Sequence, residues 1–433
     1  MSARTTTVDY VMRVTAAVYL AAIVLAIIAY KTAFIEVVTI DPVFGIYSVV
    51  VCGYILSRFF LSFVYRPGHD QGLEPEVAVV IPAFNEEEAI ADTVHAILAL
   101  DYPVDKLEVV VVNDGSTDDT LTQIEAVAAW NPRVRVIDFP ENRGKRAAMA
   151  AGIKATSAEV IAFVDSDSVL EPNALSVLVQ GFADPKVGAI AGHGNVLNVR
   201  QSWITRMQAV RYYVAFRVVK AAESVFGVVT CASGCFSAYR RVAIAPSLTE
   251  WEHQHFLGKA ATYGDDRALT NYVLRGWKVK YESRAISHTI VPDTFPKFLR
   301  QQLRWKRSWT RESTIVSRFI WRKNPLGSVA TYFGILLPLI APIIACRALI
   351  WHPLFDAGAT PVVYLIGIYA MALIYGLYYA CRHGRFDTLW VFGVLFVFFY
   401  LFVLLWQTYY AIATATNGSW GTRPSTRPAE AAP

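Results

Sequence analysis

EVAVVIPAFNE (76–86) and KLEVVVVNDGS (106–116) decide the fold, because each is a β-branched run of strand length that passes directly into small polar residues. VRVIDF (134–139) and EVIAFVD (159–165) repeat the pattern, and helix-like stretches begin near Asn85, Asp118 and Gly144. Such alternation predicts an α/β domain, a mostly parallel, Rossmann-like sheet with helices on both faces. In such sheets ligands bind at the carboxyl ends of the strands, so Asn85, Glu86 and Asp114 lie where a nucleotide would sit. Asp114 can accept hydrogen bonds from a base or a ribose. Asp-Gly-Ser-Thr is equally ordinary turn and N-cap chemistry.

Outside this region the texture is different. The 433 residues are 55% hydrophobic and only 17% charged, with net charge +5 and mean hydropathy +0.36. Globular chains average roughly 45–50% apolar and about 25% charged, so disorder, a disulfide-dense mini-protein and a simple cytosolic enzyme are excluded. The mild positive charge gives no reason to expect nucleic acid as a partner. Asp, Glu, Lys and Arg are missing from 14–30, 42–57, 324–346, 357–381 and 388–422, and each window reads as a membrane segment. The first is too long, and too closely followed by a second, for a cleavable signal peptide. The second is short and needs Arg58 to snorkel to the interface. Arg4 and Arg13 before the first window, and Arg58 and Arg66 after the second, place the N-terminus and the region after 66 in the cytoplasm.

Further motifs follow the first two strands. A third strand ends in Asp165-Ser166-Asp167, a hard-oxygen pair suited to Mn²⁺ or Mg²⁺ that shares its shell with substrate phosphates. Asn142-Arg143-Gly144-Lys145-Arg146 sets cations at a helix start, where phosphate would also meet backbone N–H groups. Gly264-Asp265-Asp266-Arg267 opens another helix; its acids serve either as capping groups or as a general base. Gln301, Arg304 and Trp305 stand as QxxRW in a basic, aromatic stretch (294–322) with the character of a helix in the membrane interface. A guanidinium there can neutralise a leaving diphosphate, and an indole offers a face to a sugar ring. Cys52, Cys231, Cys235, Cys346 and Cys381 are scattered without disulfide or zinc spacing, and packing roles are expected for Cys231 and Cys235.

Taken in order, Asp114, Asp165-Ser166-Asp167, Gly264-Asp265-Asp266 and Gln301 to Trp305, flanked by membrane segments, resemble the processive inverting family 2 glycosyltransferases. These are the cellulose, chitin and hyaluronan synthases. Ser233-Gly234-Cys235, Ser237-Ala238-Tyr239-Arg240-Arg241, Arg311-Glu312-Ser313 and Trp420-Gly421-Thr422-Arg423 look most like hyaluronan synthases, although that family usually has Pro where this chain has Cys235. Val291-Pro292-Asp293-Thr294 and Leu299 to Trp305 are also similar to the chitin-oligosaccharide synthases. The resemblance implies a GT-A fold, a UDP-sugar donor and a polysaccharide acceptor. It further implies Asp114 on uridine, Lys145 on phosphate, and Asp165 and Asp167 at the metal and diphosphate. Asp266 would be the base, with Asp265 beside it. Gln301, Arg304 and Trp305 would meet the acceptor and diphosphate, and Trp420 and Arg423 would close over the nucleotide.

The expected organisation is two transmembrane helices in 1–66, a cytosolic GT-A domain in 67–293 and interface helices with QxxRW in 294–322. Transmembrane or re-entrant helices follow in 323–413, then the WGTR segment and a Pro-rich tail in 414–433. The expected function is hyaluronan synthesis from UDP-GlcNAc and UDP-GlcA by a multi-pass inner-membrane enzyme among lipids, with secretion of the polymer through its own channel. A chitin-like synthase using UDP-GlcNAc alone, and a transferase to a lipid carrier, are the alternatives. Five full spans from an inside N-terminus would leave 420–423 on the wrong side for UDP, so one window must not cross simply. The windows with Pro338 and Pro342, or the long last one, are the candidates.

Overall fold

The computed structural model describes residues 41–355, 360–382 and 388–418, with isolated helical positions at Val14, Val18, Ala21, Ala22 and Leu25. Most of the first apolar window, and Trp420 and Arg423, lie outside the described residues.

Eight strands form the main sheet: β1 (Val77–Ala83), β2 (Leu107–Asn113), β3 (Val134–Asp138), β4 (Val160–Phe163), β5 (Ser168–Leu170), β6 (Val187–Val196), β7 (Ser237–Arg240) and β8 (Lys278–Thr289). Their order is β3-β2-β1-β4-β7-β6-β8-β5. The first four are parallel, β6 and β8 are parallel, and β7 and β5 run against their neighbours. Every residue of β1 is buried, as a central strand covered on both faces requires. Side chains alternate between the faces. Val77, Val79 and Ile81 meet α2 (Ile90–Leu98), α3 (Thr120–Trp130) and α5 (Ala174–Val179). Ala78 and Val80 meet α4 (Lys145–Lys154) and α7 (Asp265–Gly276).

The expected strands appear within a residue or two, but the helix expected near Asn85 begins at Ile90. Asn85 instead takes a left-handed backbone, φ 54°, and its Oδ1 accepts from the Thr117 N–H at 2.9 Å. The two strand-end loops are thereby tied together. Helix α4 lies unusually close to the sheet: a Cβ on Gly152 would come within 2.3 Å of Val80 Cγ1. That approach fixes the α4 N-terminus over the carboxyl ends of the strands.

The apolar part comprises α1 (Pro42–Val64), α9 (Pro325–Cys346), α10 (Thr360–Arg382) and the bent pair α11 (Trp390–Phe399) and α12 (Gln407–Ala413). Three described helices, Pro42–Val64, Pro325–Phe355 and Thr360–Cys381, are long and apolar enough to cross a membrane. Arg58 does not snorkel. It is buried, with its guanidinium 5.0 Å from the Tyr54 ring centre. Helix α9 continues through Pro338 and Pro342, where Tyr47 and Tyr409 hydroxyls donate to the carbonyls of Leu337 and Leu339 at 3.1 and 2.8 Å.

The irregularity falls in the last window, which turns by 49° between Trp390–Leu404 and Gln407–Ala413. Beyond the bend, Thr262 Oγ1 donates to Gly418 O and Tyr263 Oη to Asn417 O, both at 2.6 Å. The chain therefore comes back to the catalytic domain. Between the two parts run α6 (Trp203–Val214) and α8 (Phe295–Ser317). Glu312 on α8 is buried against Asn271 of α7 at 2.9 Å. Lys306 and Arg307 reach Thr408 and Thr414 at 3.1 and 3.0 Å. The basic stretch is thus wedged between the domain and the apolar helices.

Candidate active site

The carboxyl ends of β1, β2 and β4 open into one cavity of about 580 Å³. Asp114, at the end of β2, is buried. Its Oδ1 accepts from the Arg143 N–H at 2.7 Å, and its Oδ2 from the Gly144 N–H at 3.0 Å. Gly115, next along, has φ +66°, and a Cβ there would meet the Glu141 carbonyl carbon at 2.4 Å. Only glycine lets the β2 loop and the loop before α4 close together. Glu86 lines the cavity, and its N–H donates to Thr120 Oγ1 at 2.8 Å. Asn85 is exposed and does not line it.

Lys145, in the first turn of α4, places its ammonium on the Asp165 carboxylate. Burial opposes that charge, but Asp165 more than offsets it and holds the lysine above its ordinary range. Burial, and next the neighbouring Asp165 charge, push Asp167 up to about 6. Thr289 Oγ1 donates to Asp167 at 3.2 Å. The 233–235 loop closes on this pair, since a Cβ on Gly234 would lie 3.0 Å from Asp165 Oδ1. Two facing carboxylates, one already carrying an ammonium, form a site that favours cations. No cluster of three or more His, Cys, Asp or Glu exists among the described residues. The residues present fit a divalent ion that takes two ligands from protein and the rest from substrate phosphates and water, the usual arrangement for Mg²⁺.

Gly264, left-handed at φ +78°, precedes α7, and a Cβ there would overlap Ser308 Oγ on α8 at 1.9 Å. The two acids that follow have different surroundings. Asp265 is buried and receives Arg146 Nε at 2.8 Å. Asp266 lines the cavity, with Oδ2 3.5 Å from Cys231 Sγ. Burial, then the Asp266 charge, push the Cys231 thiol up to about 11, so it remains a protonated donor. Cys231 thus faces the site, which goes beyond its expected packing role, whereas Cys235, although it touches the cavity, is buried in the hydrophobic core as expected.

Gln301, Arg304 and Trp305 all line the same cavity from α8. Ten of the sequence-selected residues converge there: Glu86, Asp114, Lys145, Asp165, Asp167, Asp265, Asp266, Gln301, Arg304 and Trp305. Sequence reading missed Arg211, Tyr212, Lys220, Tyr400 and Thr408. The only signal for the first three is polar residues in VRYYVAFRVVK (210–220), an otherwise apolar run. Lys220 sits on a π-helical turn, Ala215–Lys220, that extends α6, and its ammonium donates to Cys231 O.

Comparison with known proteins agrees with this geometry. The family described as Glycosyl transferase family 2 matches residues 78–246. Hyaluronan synthase of Streptococcus pyogenes is 35% identical over 387 residues, 88% of this chain and 90% of that protein. An N-acetylglucosaminyltransferase of Rhizobium meliloti (strain 1021) is 35% identical over 81% of this chain and 82% of its own length. Among solved structures, the mannosyltransferase PcManGT from Pyrobaculum calidifontis, in complex with GDP-Man and Mn²⁺, aligns with TM-score 0.58 at 19% identity. It covers 82% of this chain and 98% of its own, a likeness of fold. The chain belongs to glycosyl transferase family 2, as a GT-A-like enzyme with membrane-type helices that is similar to hyaluronan synthases.

Proposed function

We propose that the protein polymerises UDP-GlcNAc and UDP-GlcA into hyaluronan at the inner membrane, with its catalytic domain cytosolic, and passes the polymer out through its own helices. The observation that carries the reading is a single cavity running from Asp114 and Asp165 to Pro338, Tyr400 and Thr408 of the apolar helices. Donor chemistry and membrane exit share one space.

Asp114 would receive the uridine. Lys145 and Arg304 would bind the diphosphate, and Gln301 and Trp305 the acceptor sugar. A divalent ion on Asp165 and Asp167, Mn²⁺ or Mg²⁺, would supply charge neutralisation to the leaving diphosphate; the solved mannosyltransferase of like fold holds Mn²⁺. Asp266 takes the proton from the acceptor hydroxyl, which attacks the anomeric carbon opposite the departing UDP, so an α-linked donor gives a β-linkage. Asp265, held by Arg146, positions that acid. Asn85 acts through the loops it ties. Trp420 and Arg423 would close over the nucleotide.

Purified full-length protein in detergent, given each donor alone and both, should release UDP continuously only with both, and its polymer should be digested by hyaluronidase. Sustained polymer from UDP-GlcNAc alone would instead support the second reading, a chitin-like synthase, which the similarity to N-acetylglucosaminyltransferases favours.

A further inference from the structure

The end of the cavity nearest the apolar helices contains two cations that the reaction chemistry above does not use. Arg211, on α6, and Lys306, on α8, both line it. Arg211 lies 5.3 Å from the Trp305 ring centre and 5.4 Å from that of Phe396, and its Nη1 is buried without a hydrogen-bond partner. Lys306 meets only neutral groups in its hydrogen bonds, the Leu404 carbonyl and Thr408 Oγ1, with the Tyr400 ring centre 5.2 Å from its ammonium. Neither takes part in an ion pair among the described residues. Burial, and next the like charge of Arg211, lower the Lys306 ammonium to about 8.

Two half-buried, mutually repelling cations, one with a buried and unpartnered nitrogen, are costly unless an anion joins them. Their neighbours limit what that anion belongs to. Trp305, Phe396 and Tyr400 present aromatic faces, against which a pyranose ring stacks while a carboxylate on it reaches a guanidinium fork. We infer that Arg211 and Lys306 form a carboxylate subsite that holds a uronate residue of the acceptor chain where it leaves the catalytic centre. The inference rests on the hyaluronan reading and deepens it. A neutral β-GlcNAc chain would leave both cations unpaired, so the pair selects for a polymer that carries acid groups.

The test compares a hyaluronan hexasaccharide with its carboxyl-reduced form, each titrated into full-length protein in detergent with UDP present. Wild type should bind the acidic form about tenfold or more tighter, the scale of one charge-assisted contact. Arg211→Gln should shrink that preference to about twofold, with UDP affinity unchanged as proof of folding, and Lys306→Arg should preserve it. Equal affinity for both forms in wild type, while hyaluronan is still made, would overturn the subsite and leave the proposed function standing. So would an unaltered preference in an Arg211→Gln protein that still binds UDP. If micelles bearing an isoprenyl diphosphate lose binding in Arg211→Gln while the hexasaccharides are not distinguished, the cations serve a lipid phosphate and the inference fails. Absence of any hyaluronidase-sensitive polymer with both donors would count against the proposed function itself.

Discussion

Arg146 donates from Nε to the Asp265 carboxylate at 2.8 Å with both side chains buried, joining the first turns of α4 and α7. The helix that carries Lys145 and the helix that carries Asp266 are therefore set relative to each other by one ion pair. Removing one partner leaves an uncompensated buried charge, which costs about 3–5 kcal/mol. Asp265→Asn should lower the unfolding temperature in detergent, and Arg146→Met with Asp265→Leu should recover most of the loss. If the single and double variants melt alike, the pair does not organise the site.

The neighbouring acid should behave differently. Asp266→Asn removes the proposed base while keeping the shape of the side chain, so kcat should fall by about 10²- to 10⁴-fold with UDP affinity and unfolding temperature near wild type. Steady-state UDP release and UDP titration separate these quantities. Normal polymer synthesis by this variant would remove the assignment.

Gly264→Ala combines a left-handed backbone with a Cβ placed 1.9 Å from Ser308 Oγ. Strain and overpacking together should cost about 2–4 kcal/mol and displace α7 from α8. Ser308→Gly in the same chain should relieve the overlap but not the backbone strain, giving partial recovery of activity and of the unfolding temperature.

Lys306 supplies a pH dependence with a definite sign. Its folded pKa, near 8, lies below the ordinary lysine value of 10.5, so between these limits the unfolded chain binds more protons and stability rises with pH. Below 8 the full penalty of the half-buried charge is present. Lys306→Met should therefore raise the unfolding temperature at pH 7, and the gain should shrink toward pH 10. A gain that does not change with pH would show that packing, not charge, is its source.

The sheet was legible because its signal is local: β1 is an unbroken apolar run and β2 is one apart from Glu108 and the terminal Asn113, the near-continuous pattern of strands buried on both faces. The acids at strand and helix ends were legible for the same reason. Asp265 and Asp266 could not be told apart in the sequence, since the difference between them is Arg146, 119 residues away. Cys231 read as packing because only folding brings it to Asp266, 35 residues on. Arg58 read as snorkelling because composition does not show the Tyr54 ring on which its charge rests. The bend in the last apolar window likewise has no proline to announce it; α9 has two and stays helical.

The hydrogen bond from Thr262 to Gly418 joins positions 156 residues apart, so the polypeptide leaves the threshold of the Gly-Asp-Asp turn, traverses α7, α8 and the apolar helices, and returns to where it began. At its point of return that circuit is held by two neutral hydroxyl donors, together worth about 1–3 kcal/mol, in addition to the Arg307 hydrogen bond to Thr414. Asn417 and Gly418 are thus presented to the Thr262-Tyr263 turn at a local concentration fixed by chain length and indifferent to how dilute the protein becomes.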